Sequence, residues 1–235
     1  VQNLVKVFEQ ATTEDMKMAA RSWYTYHELT RRVAAKFGFP AATGAAVFAA
    51  LSPNNDYHGN LRDTHRLLAA AHRGLAVEDF GVSTFHHNKR KAWSIVHGAD
   101  PLALIIAKKT RSFYLNICDP EDPQPVTVDG HIFNAWRGQR VALKAADSRV
   151  SNRLYEVVAE DVREIGRRHG LVPNVVQGAI WHTWRRLHGI KYTPQLELWC
   201  PETLSAGLGY TSNAGQPRAT HPASAASFQK PRQPA

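Results

Sequence analysis

Residues 107–138 read AKKTRSFYLNICDPEDPQPVTVDGHIFNAWRG and hold two apolar helical patterns joined by a short, acidic, proline-rich loop. The first pattern has Lys109 at its head, then Thr110, Phe113, Tyr114 and Ile117. The second follows Asp129 and carries His131, Ile132, Phe133 and Trp136. An aspartate placed just before an apolar helix is the residue type that caps it, and a helix N-terminus favours negative charge. If the two helices pack side by side, the Lys109 amine and the Asp129 carboxylate meet at their N-terminal ends. Taken one at a time, the two residues read as a helix cap and a solvated cation.

The chain on either side is helical in pattern. Residues 1–11 form a short, partly apolar lead-in. Thr12 with Asp15 three positions on has the form of a capping box. Behind it Met16, Ala19, Trp23, Tyr26, Val33 and Phe37 make a helical stripe ending at Gly38. Pro40 opens the next helix at a position that needs no N–H. That helix, 41–51, is apolar almost all round, which predicts a place in the middle of a helical domain. Ser52-Pro53-Asn54-Asn55-Asp56 is a polar loop before a helix that runs from about Tyr57 to Gly74. Ser83 suits the cap of a basic helix, 86–97, with Trp93 and Val96 inward and Lys89, Arg90 and Lys91 outward. Pro101 starts a short helix through Ile106.

Downstream, a helix is predicted over 151–169 and a last one from Pro173 to Gly189, with Val176, Ile180, Trp184 and Leu187 on one face. From about Ser205 the composition turns to Gly, Ser, Ala, Pro, Asn and Gln, too poor in large apolar residues to order itself. There is no strand set and no internal repeat. The expected fold class is all-α: one helical domain over 1–204 and a disordered tail over 205–235.

The chain has 235 residues, 43% of them hydrophobic and 21% charged, enough to bury a real core. Lys and Arg number 29 against 20 acids, for a net charge of +9. That balance suits a polyanionic partner, DNA or RNA first. Two cysteines, Cys118 and Cys200, exclude a disulfide scaffold and any four-cysteine zinc or iron–sulfur site. No apolar run reaches transmembrane length, and no signal-peptide pattern opens the chain.

The central stretch resembles the helix–hairpin–helix DNA glycosylases, the superfamily of endonuclease III. That family carries a Gly-x-Gly-x-Lys-Thr-Ala hairpin, a helix ending in Asn, a short loop, then Val-Asp-x-His. Lys108-Lys109-Thr110, Leu115-Asn116 and Val128-Asp129-Gly130-His131 stand here in the same order. The likeness extends outward, from about Ala41 to Gly189, through the Ser52 loop, Asn60, Trp181, Leu187 and His188. Two features depart from it. Leu104-Ile105-Ile106-Ala107 replaces the hairpin glycines that let backbone N–H groups reach a phosphate. The cysteine cluster after the last helix is also absent.

The resemblance implies a helical bundle of two lobes with a cleft between them, about 40–125 forming the inner lobe. It implies base flipping and removal of a damaged or modified base, followed by strand nicking. Lys109 would be the nucleophile, reacting only as the unprotonated amine, and Asp129 would stabilise the cationic sugar. Asn54 and Asn55 lie where relatives fill the space left by the flipped base, with Tyr57 as a wedge or stacking partner. Lys89, Arg90, Lys91, Lys108, Thr110, Arg111 and His131 are the candidate DNA contacts. The expected partner is duplex DNA bound by a monomer, in the cytoplasm or on the nucleoid, with no membrane and no cofactor. His86, His87, His182 and His188 fit no usual zinc spacing, so no metal is expected. The alternatives are a DNA base-hypermodification enzyme of the same fold and a non-catalytic DNA-binding module.

Overall fold

The computed structural model describes residues 1–143 and 150–190; the tail expected over 205–235 lies outside them. All regular structure among the described residues is helical, so the chain is all-α. The helices are α1 (Gln2–Phe8), α2 (Thr13–Lys36), α3 (Ala41–Leu51), α4 (Tyr57–His72) and α5 (His86–Val96). After them come α6 (Pro101–Leu104), α7 (Lys108–Cys118), α8 (Gly130–Arg137), α9 (Asn152–His169) and α10 (Pro173–Leu187). A single 3-10 turn, Val77–Asp79, lies between α4 and α5.

Local chemistry sets most of the helix ends. Thr12 and Asp15 form the reciprocal capping box at the start of α2. Asp15 is also buried and reaches across the molecule, accepting from Arg186 Nε at 3.0 Å and from Thr183 Oγ1 at 3.3 Å on α10. Burial pushes its pKa up, but the Thr12 backbone N–H and Arg186 more than offset that and hold it below the usual value. The N-terminal lead-in is itself a helix. Leu4, Val7 and Phe8 are buried, so α1 forms by docking an apolar face. At the other end of α8, Gly138 takes the left-handed cap conformation with a φ of 67°.

The core consists of two clusters, and α2 runs through both. One gathers α1, α8, α9 and α10 around Ile132, Val158, Val162 and Ile180, with Ala19 of α2. The other gathers α3, α4, α5 and α7 around Phe48, Leu51, Leu67 and Ile117, with Val33 and Ala34 of α2. α3 is buried from Gly44 to Leu51, as its apolar circumference predicts. It can lie against α2 because Gly44 has no side chain; a Cβ there would sit 2.4 Å from the Thr30 carbonyl oxygen. Gly178 plays the same part between α10 and α2, where an added Cβ would lie 3.0 Å from that of Ala19. α6 is shorter than predicted and stops before Ile106, which is left 76% exposed in the turn leading to α7.

Candidate active site

Lys109 and Asp129 open onto one cavity of about 280 Å³, and three elements hold them there. Lys109 lies in the first turn of α7. Lower on that helix, Asn116 is fully buried and donates from Nδ2 to Thr127 Oγ1 at 3.0 Å. α9 supplies the second tie. The Tyr155 hydroxyl donates to Val126 O at 2.7 Å and accepts from Val128 N at 3.2 Å. The segment leading to Asp129 is thus pinned by buried hydrogen bonds, one to the lysine-bearing helix and two to α9. Asp129 caps α8, its Oδ1 accepting from Ile132 N at 2.9 Å. Its Oδ2 accepts from Trp181 Nε1 of α10, also at 2.9 Å. Cap and cavity wall are the same side chain.

The walls are aromatic. Trp23, Tyr26, Phe48, Tyr57, Phe113 and Trp181 line the cavity. Tyr26 packs edge-on to Tyr57 at 5.7 Å and to Phe113 at 5.5 Å between ring centroids. Burial pushes the Tyr57 phenol to about 12, so it is neutral and can donate. Polar groups interrupt this surface. Asn60 and Gln177 line it, and Asn60 Oδ1 and Gln177 Oε1 are buried without partners among the described residues. Asn60 Nδ2 donates to Phe48 O at 3.0 Å, which fixes its amide so that the oxygen is the atom left over. His182 also lines the cavity; burial pushes its pKa down to about 4, so its ring is neutral at pH 7.

The Ser52–Asp56 loop forms part of the mouth through Ser52, Asn55 and Asp56. Asp56 caps α4 at Gly59 N, 2.7 Å away. Asn55 Nδ2 donates to the buried carboxylate of Asp63 at 3.0 Å, and Asp63 also takes Ser83 N at 2.6 Å. Thr84 Oγ1 holds the Pro53 carbonyl at 2.6 Å. Asn54 is exposed at the tip with a φ of 57°, the left-handed region that Asn enters more readily than most residues.

Four of the residues singled out from the sequence therefore share the cavity: Lys109, Asp129, Asn55 and Tyr57. Lys109 is exposed. The other candidates are arranged differently. Lys89 is not an outward cation. It is 4% exposed, its ammonium donates to the Phe80 carbonyl, and it lies 4.2 Å from the centre of the Phe80 ring. The 80–85 segment folds back over it, which spacing along α5 does not reveal. Arg90 and Lys91 stand on α5, which contributes nothing to the cavity lining. Lys108 is ion-paired with Glu156 of α9, and both line a separate groove with Arg111. Thr110 is half-buried on α7.

His131 adjoins the cavity, edge-on to Trp181 at 5.9 Å. Burial lowers its pKa; Asp129 opposes the shift, while Arg185, Lys109 and Arg140 reinforce it. Spacing alone also left Gln177, Gly178, Trp181 and His182 unassembled. They form the cavity-facing side of α10, beside the core face of Val176, Ile180 and Trp184. Among the described residues no group of three or more His, Cys, Asp or Glu side chains is placed to hold a metal ion.

No curated protein and no solved structure matches the chain. Residues 1–188 match the family described as a family of unknown function, DUF7178, and the chain belongs to that family.

Proposed function

We propose that the cavity takes a nucleobase turned out of DNA, and that the chain is a DNA glycosylase with lyase activity. One observation carries the reading. A lysine amine and an aspartate carboxylate twenty positions apart line the same aromatic-walled cavity. A cavity of about 280 Å³ is at the small end for ligand sites, a size for one ring system. Aromatic walls offer stacking to the face of any base. The exposed Asn54 loop stands at the mouth, where a residue is needed to fill the gap in the duplex. The net charge of +9 suits a polyanion, and two core clusters flanking a cavity fit a two-lobed glycosylase.

The unprotonated Lys109 amine attacks C1′ of the deoxyribose. The bond from C1′ to the base breaks, and the base leaves with that electron pair and a proton. The nitrogen lone pair then expels O4′, which takes up a proton, and the sugar opens to a Schiff base that keeps the remaining N–H proton. Abstraction of a 2′ proton then expels the 3′ phosphate and nicks the strand. Asp129, fixed by Ile132 N and Trp181 Nε1, sets a negative charge beside the cationic sugar without having to reorganise. No metal or cofactor enters this scheme. The setting is any compartment that holds DNA, cytoplasm or nucleoid.

A specific observation favours a second reading, base hypermodification on the same fold. The turn before α7 lacks glycine, exposes Ile106, and commits Lys108 to Glu156. Borohydride reduction in the presence of abasic-site DNA tests the first reading. A covalent adduct that is lost in Lys109→Ala supports the lyase. Binding without an adduct points to hypermodification or a non-catalytic module, and absence of binding removes DNA from the account.

A further inference from the structure

Most polar groups on the cavity wall are committed to the protein itself. Ser22 Oγ donates to Met18 O at 2.6 Å, and Ser52 Oγ donates to Ala49 O at 2.8 Å. Asn55 is tied to Asp63, and Asp56 and Asp129 cap their helices. Two amide oxygens are left over. Asn60 Oδ1 and Gln177 Oε1 have no partner among the described residues, and they belong to residues only 3% and 5% exposed. The Asn60 amide cannot turn to offer a donor instead, because its Nδ2 is taken by the Phe48 carbonyl. Gln177 Nε2 donates to nothing among the described residues, so no protein group competes for this amide.

Each amide stands one helical turn from an aromatic residue of the wall. Asn60 follows Tyr57 by three positions on α4, and Gln177 precedes Trp181 by four on α10. The aromatics can take the face of a planar ring, which leaves the amides for its edge. A buried acceptor without a donor is costly, and a ligand bearing N–H groups removes that cost. The Tyr57 hydroxyl can give or take a hydrogen bond, so it selects neither.

We propose that Asn60 and Gln177 read the edge of the base, and that the cavity selects bases bearing an amino group. This rests on the reading that the cavity takes a base of DNA. Two oxygens need two N–H donors. The amino group of adenine or cytosine carries two, and guanine offers its ring N–H beside its amine. Uracil, thymine and hypoxanthine offer a single ring N–H beside carbonyl oxygen. They would leave one amide oxygen unpaired and bring oxygen against oxygen.

The test is binding to duplexes that differ only in one nucleotide, cytosine against uracil and adenine against hypoxanthine. Each is placed opposite a tetrahydrofuran abasic analogue, so that no base pair has to be broken in either member. Wild type is expected to bind the amino member about tenfold more tightly or better. Gln177→Met keeps the length of the side chain and removes its oxygen. One N–H then suffices for Asn60, and the preference should shrink to within about threefold. The urea midpoint of Gln177→Met should not fall, because the variant removes a buried group that has no partner in the folded chain; a fall would make Gln177 a structural residue and refute the proposal. Asn60→Leu strands the Phe48 carbonyl as well, which makes Gln177→Met the cleaner variant. If wild type is trapped by borohydride on abasic-site DNA but binds both members of each pair equally, the edge reading is refuted while the glycosylase reading stands. A preference for uracil or hypoxanthine, or an amino preference undiminished in Gln177→Met, refutes it equally. Failure of wild type to bind any duplex overturns both readings.

Discussion

Replacing Asp129 separates its structural work from its chemistry. Its two oxygens do different things. Oδ1 caps α8 at Ile132 N and Oδ2 holds Trp181 Nε1, each at 2.9 Å. Asparagine retains one acceptor oxygen, so Asp129→Asn keeps the cap and loses the Trp181 hydrogen bond, a cost of about 1 kcal/mol. Asp129→Ala loses both, about 2 kcal/mol in all. Domains of this kind are stable by roughly 5–15 kcal/mol, so both variants stay folded at room temperature. Urea unfolding followed by tryptophan fluorescence measures the two losses as shifts in midpoint at constant slope. The chemical effect is of another size. Removing a preorganised charge from a reacting centre typically costs about 100-fold to 1000-fold in rate. Formation of the borohydride-trappable adduct, followed under single-turnover conditions, should therefore slow by at least about 100-fold in Asp129→Asn. A variant that loses about 1 kcal/mol of stability but reacts within about threefold of wild type would show that Asp129 is a cap and nothing more.

Three further outcomes follow from particular contacts. Lys89→Ala should lower stability by about 1–3 kcal/mol through the lost Phe80 contacts and leave DNA affinity unchanged; a selective loss of affinity would restore the outward phosphate role. Gly44→Ala forces a Cβ to within 2.4 Å of Thr30 O and should cost about 1–3 kcal/mol by overpacking, read as a lowered urea midpoint; no shift would mean α2 and α3 separate freely. Burial lowers the pKa of both His65 and His182 from 6.5 to about 4. The unfolded chain therefore binds more protons than the folded one between those limits, and stability rises with pH through that window. Each histidine contributes about a tenfold change in the folding constant per pH unit, and a urea midpoint equal at pH 5 and pH 7 would contradict it.

What could be read from the chain was what is local. Thr12 and Asp15 announce a helix start because the capping groups lie within one turn of each other. Asp129 is legible as a cap for the same reason, and α3 as a central helix because its whole circumference is apolar. Side-chain surroundings made by distant segments were not legible. Lys89 looks like one of three solvated cations until the Phe80 carbonyl and ring are brought over it. Lys108 and Lys109 are adjacent in sequence, yet one turns to Glu156 and the other to the cavity. The aromatic box draws on α2, α3, α4, α7 and α10, so no single stretch carries its pattern.

The central claim is that Lys109 is the amine that reacts. Its most direct test is to reduce the complex of wild-type protein with abasic-site DNA, digest the product, and locate the modified residue by mass spectrometry. The account predicts the sugar remnant on the peptide bearing Lys109. Modification of Lys108 or of any other residue instead, or no modified peptide at all, would contradict it.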